Sequence, residues 1–62
     1  MNLDLTKLKV ALNHILDNQV NAQDFDILDK YGLINYHYVN NVQYMFYPNK
    51  KDVRDILKSI GE

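Results

Sequence analysis

From Leu33 to Tyr47 the large apolar residues stop recurring every three or four positions and begin to alternate by two, in a run of β-branched and aromatic side chains broken only at Asn40-Asn41. That pattern predicts a β-hairpin. Asn tolerates positive φ better than most residues, so a two-residue Asn40-Asn41 turn sets the register: Val39 opposite Val42, His37 opposite Tyr44, Tyr36 opposite Met45. One face then carries Ile34, Tyr36, Tyr38, Gln43, Met45 and Tyr47, and the other Asn35, His37, Val39, Val42, Tyr44 and Phe46. Both are rich in large apolar groups, so one face or one edge of the ribbon is expected to meet something more than a few short helices can offer.

The rest of the chain limits what that something is. A chain of 62 residues makes one small domain, here expected to span 1–62, and buries only about 60% of the surface its unfolded form exposes. No cysteine is present, which excludes a disulfide framework, a thiolate metal site and thiol catalysis. Stability must come from the core or from an oligomer. With 47% hydrophobic and 24% charged residues, the composition is that of a folded chain, not a disordered one.

Three helices are expected around the hairpin. Leu5, Leu8, Leu12 and Ile15 recur at helical spacing and predict a helix over Asp4 to Asp17, with Asp4 as N-cap and Asn18 as the stop. Its wet side holds Thr6, Lys7, Asn13, His14 and Asp17, together with Val10, an apolar residue out of place. Asn21 caps a second helix, Ala22 to Tyr31, with Val20 and Phe25 spaced as a hydrophobic staple and Asp24 in the positive first turn. Gly32 ends it where a left-handed residue is wanted, and Leu33 can fold back on Leu28. Phe25, Ile27, Leu28 and Tyr31 make its inner side. A third helix starts after Pro48 with Asn49 as N-cap and carries Val53, Ile56, Leu57 and Ile60 on one side before Gly61. The expected class is α+β, in the order helix, helix, β-hairpin, helix.

The stretch FDILDKYGLI, Phe25 to Ile34, resembles the end of a recognition helix running into the first strand of a wing, where winged-helix regulators often show a leucine followed by Gly-Leu-Ile. A short wing turn, a return strand ending YMFYP and an amphipathic last helix extend the similarity over about Asn21 to Ile60. In this it is similar to the arsenic-repressor type of bacterial winged-helix regulator. The resemblance implies a winged-helix-like domain, a recognition helix and wing that touch DNA, and terminal helices that pair two subunits. Gln23, Lys30, Asn40, Asn41 and the Lys50-Lys51 pair are the contacts this chain would have available. The metal-sensing cysteines of that family have no counterpart here.

Charge favours a different partner. Seven Lys+Arg against eight Asp+Glu leave a formal net of -1, whereas nucleic-acid binders more often carry a basic excess. The outward side of the second helix shows Asp26 and Asp29 with only Lys30 to offset them, and the Asn40-Asn41 tip carries no cation. The basic group Lys50, Lys51, Arg54 and Lys58 reads either as a solvated helix face, broken up by Asp52 and Asp55, or as a contact for phosphate or an acidic partner. Lys50 and Lys51 oppose the helix dipole, which a contact role would explain.

The inventory for catalysis is poor. Ser59 and Thr6 are the only hydroxyl nucleophiles besides tyrosine, with His14 or His37 as base and no recognisable elbow around either. Gly32 and Gly61 both have capping roles, so no glycine-rich phosphate cradle exists. His14 and His37 show no ligand spacing. No enzyme, metal, cofactor or small-molecule substrate is expected.

Five tyrosines stand in the chain, four of them on the hairpin. Tyrosine joins a large apolar body to a polar tip, which suits sheet packing, a protein interface or base stacking; stacking on nucleic acid also calls for flanking cations, and the hairpin has none. The preferred reading is a small regulatory or adaptor module acting through protein contact, most simply a homodimer, with Tyr36, Tyr38, Met45 and Tyr47 at the interface. DNA remains the alternative partner. No apolar run approaches a membrane span, and Met1 to Leu8 lacks the features of a leader, so a cytoplasmic protein is expected. Abundant Asn, Asp, Lys, Ile and Tyr with scarce Ala, Arg and Gly fit a low-GC bacterium or its phage.

Overall fold

Helical spacing brings Leu8, Ala11, Leu12 and Ile15 onto one buried side of α1 (Leu3–Leu16), the helix against which the other two pack. The computed structural model describes residues 3–61, so Met1, Asn2 and Glu62, including the first two residues of the stretch read for a leader, lie outside the described residues. α2 (Ala22–Lys30) adds Ile27 and Leu28 to the core, α3 (Lys50–Ser59) adds Val53 and Leu57, and Ile34 enters it just before the first strand. Leu5, Leu16, Val20, Phe25, Leu33, Ile56 and Ile60 pack around its margin. The class is α+β, with three helices and one two-stranded antiparallel sheet in the order helix, helix, hairpin, helix.

Each boundary has a local cause. Asn18 sits at φ 57, with Gln19 N–H donating to the His14 carbonyl and Asn18 N–H to that of Ile15, so α1 ends in a Schellman motif built on asparagine. Asn21 and Asp24 form a reciprocal capping box at the start of α2. Gly32, at φ 71, ends α2 in a second Schellman motif in which Leu33 N–H donates to the Leu28 carbonyl. Asn49 caps α3 by accepting from Asp52 N–H at 2.8 Å.

Two expectations need correction here. Asp4 is not an N-cap, because α1 already includes Leu3; its carboxylate lies in the first turn, where it complements the helix dipole and takes an ion pair from Lys30 of α2. That ammonium, by hydrogen bond and by charge, holds the Asp4 carboxyl below its usual range, and Asp4 in turn raises Lys30. Tyr31 is not on the inner side of α2. It is 42% exposed, since it occupies the C-cap position at φ -91, ψ 7, where the chain has left the helical rotation that faces Leu28 inward.

β1 (Asn35–Val39) and β2 (Val42–Phe46) pair in the expected register, with Val39 opposite Val42, His37 opposite Tyr44 and Tyr36 opposite Met45. Asn40 and Asn41 both take positive φ, 51 and 67, the signature of a type I′ turn whose twist matches that of the strands. The Cα atoms that approach within 8 Å between elements join β1 to β2, α1 to α2 and α1 to α3, so the backbone of the ribbon stands clear of the helices. The described residues span 42 × 22 × 19 Å, and the radius of gyration of 12.2 Å exceeds the roughly 10.5 Å of a compact chain of this length. Among the described residues, no helix is long and apolar enough to cross a membrane.

Candidate functional site

All ten strand residues are exposed. Alternation along the paired strands puts Tyr36, Tyr38, Gln43 and Met45 on one face, with Ile34 and Tyr47 continuing it toward the helices. Ile34 is buried there, and Tyr47 meets Phe25 of α2 edge-on at 6.3 Å between ring centroids. The Tyr36 hydroxyl donates to Asp29 of α2, and Gln43 donates to the Tyr38 hydroxyl at 2.8 Å. This face is therefore anchored to α2 at its base, yet Tyr38 is 71% and Met45 55% exposed. The four residues predicted for the interface, Tyr36, Tyr38, Met45 and Tyr47, are all exposed and all belong to this face.

The opposite face was left out of that prediction, although it is no less open. Val39, Val42, Tyr44 and Phe46 are 54%, 51%, 47% and 52% exposed. Its polar members are Asn35 at the base and His37, whose ring packs edge-on against Phe46 at 5.5 Å. Between Ile34 and Tyr47 the ribbon holds no Asp, Glu, Lys or Arg. Neither free edge carries the lysine, proline or bulge with which exposed strands usually discourage pairing.

The hydrogen bond to Asp29 favours the neutral Tyr36 phenol and raises its pKa above the ordinary 10.0. Because the raised group is neutral when bonded, the contact is fully present below pH 10 and is lost as pH rises through the higher folded value. Absorbance at 295 nm should show one phenol ionising above the ordinary range. Tyr36→Phe should remove that step and Asp29→Asn should move it down; an unchanged titration in both variants would show that the contact does not form in solution.

The other predicted contacts fall on three separate elements. Gln23 and Lys30 border a cleft of about 510 Å³ between α1 and α2, in the company of Asp4, Asp24, Asp26 and Lys7. Lys30 is engaged by Asp4, and the lining is acidic on balance, which opposes phosphate. Asn40 and Asn41 are at the hairpin tip, where their backbone conformation accounts for them. Lys50, Lys51, Arg54 and Lys58 are exposed on α3, with Lys51 paired to Asp55 at 3.3 Å.

His14 belongs with none of these, nor is it merely solvated as its place on the wet side of α1 suggested. Its Nδ1 lies 2.6 Å from Oδ2 of Asp24, the same oxygen that receives Asn21 N–H at 3.0 Å. With a carboxylate as acceptor, Nδ1 is the donor. Asp24 is only 5% exposed, the one buried charged side chain among the described residues. Among those residues no group of three or more His, Cys, Asp or Glu is placed to hold a metal ion. No family model matches the chain, and neither a curated protein nor a solved structure shows significant similarity to it.

Proposed function

We propose that this protein is a small regulatory or adaptor module that works through protein contact, with the β-hairpin as its contact surface and a second copy of the chain as the simplest partner. One observation carries the reading: an uncharged, largely apolar ribbon stands clear of the core with both faces in water. Large exposed apolar patches on small proteins mark interaction surfaces. A ribbon without charges fits a protein surface better than a phosphate backbone, and it meets a copy of itself without repulsion across a two-fold axis.

Sedimentation equilibrium at micromolar concentration should return the mass of a dimer, and that mass should hold from low to high salt. A monomer over the whole accessible concentration range overturns the homodimer. The winged-helix reading, supported by the order of elements and the exposed cations of α3, makes the opposite forecast. Binding to generic duplex would then be measurable at low salt and would weaken steeply, by close to one counterion for each phosphate contacted.

A further inference from the structure

Resting on the homodimer reading above, we infer that the two copies meet through the Val39, Val42, Tyr44 and Phe46 face, stacked as a two-layer sandwich of hairpins, and that the tyrosine face remains outside. The two faces differ in what stacking would require of them. On the tyrosine face the Tyr36 hydroxyl is committed to the Asp29 carboxylate and the Tyr38 hydroxyl to Gln43. A copy laid on it would have to cover the Asp29 carboxylate, a charge whose desolvation opposes burial. The other face presents two valines, Tyr44 and Phe46, with His37 already packed against the Phe46 ring. Two layers of such side chains interdigitate at about 10 Å, as in the core of a β-sandwich.

The area is sufficient for a weak to moderate dimer. An aromatic side chain can bury about 150–250 Å²; at roughly half exposure, Tyr44 and Phe46 with the two valines and His37 offer on the order of 500 Å² per copy. Two copies reach about 1,000 Å², the lower bound for a specific interface. A two-fold axis lying across the strands also separates the helical bodies. Each arm then points at the base of its partner, so the bodies stand at opposite ends and do not collide. With each protomer 42 Å long and strands overlapping by about 17 Å, the dimer should extend to roughly 65 Å.

Charge placed on one face at a time separates the possibilities, because every site used is exposed and outside the core. Val42→Lys, and independently Val39→Lys, should raise the dimer dissociation constant at least about 30-fold, the effect of losing a central interface residue. Met45→Lys on the tyrosine face should change it less than about 3-fold, as expected outside an interface. Thermal unfolding followed by helix signal confirms that each variant keeps its core. Small-angle scattering of the native dimer should give the elongated dimension. If Met45→Lys dissociates the dimer while the valine variants do not, the face is wrong and the homodimer reading stands. Equal loss in all three overturns the single-face sandwich, and no loss in any places the interface off both faces of the hairpin. A native protein that is already monomeric removes the homodimer reading itself, which is why its mass is measured first.

Discussion

Leu12→Ala should destabilise the protein by about 3 kcal/mol, within the range found for emptying a well-packed leucine site. Leu12 is fully buried on α1, the helix that packs against both α2 and α3, and it belongs to one cluster with the fully buried Leu28 and Val53. The void it leaves therefore opens where the three helices meet. A chain of this length has a total stability of only about 3–9 kcal/mol. For so small a domain each kcal/mol moves the melting temperature by about 4–8 °C, so Leu12→Ala should melt at least about 12 °C below the parent or be unfolded outright. Val10→Ala, on the same helix but 47% exposed, should stay within about 0.5 kcal/mol of the parent. Thermal and urea unfolding followed by circular dichroism supply the measurement. A loss below about 1 kcal/mol at Leu12 would mean that the core does not pack as described.

Asp24→Ala should cost about 2–3 kcal/mol, more than a surface cap normally contributes. The carboxylate does two jobs through one oxygen. It accepts Asn21 N–H at 3.0 Å, closing the capping box of α2, and it accepts His14 Nδ1–H at 2.6 Å, tying α2 to α1. Truncation leaves a half-buried backbone donor and a ring donor unsatisfied together, and unsatisfied groups cost more than the net value of the bonds they lose. Asp24→Asn retains an oxygen at the same reach and should lose about 1 kcal/mol or less. A double-mutant cycle with His14→Ala isolates the tie between the helices and should give a coupling of about 0.5 kcal/mol or more. If Asp24→Ala is no worse than Asn21→Ala, the bond to α1 contributes nothing beyond the cap.

What could be read from the residues and what could not divide along a physical line. Helix ends and the hairpin register were legible because they rest on interactions a few residues apart: Asn21 with Asp24, Gly32 after Tyr31, Asn49 with Asp52, and the Asn40-Asn41 pair with its positive φ values. The core stripe of α1 was legible from its period. Asp24 and His14 were not, since each alone reads as a charged or polar residue facing water, and their meeting depends on how α1 crosses α2 after the Schellman turn at Asn18. Tyr31 was misplaced because a helical period was carried one residue beyond the last helical position.

At the candidate surface, alternation identified two apolar faces and suggested that one face or edge would meet something else. It could not show that the strand backbones stay away from the helices, because that depends on how the ribbon leaves the body and not on its own alternation. Interface residues were assigned by tyrosine content, which selected the face partly tied to α2 and passed over the equally exposed Val39, Val42, Tyr44 and Phe46.

The pairing of Asn35 with Phe46 means that the chain leaves the helical body and returns to it at a single place. Arm length is thus uncoupled from core volume. Two residues added to each strand beside the Asn40-Asn41 turn would lengthen the ribbon by about 7 Å and preserve the identity of both faces, whereas one residue added to each would exchange the faces of everything beyond it. Insertions and deletions in this chain should therefore be tolerated in the arm in steps of two per strand, which makes its reach adjustable without repacking any helix.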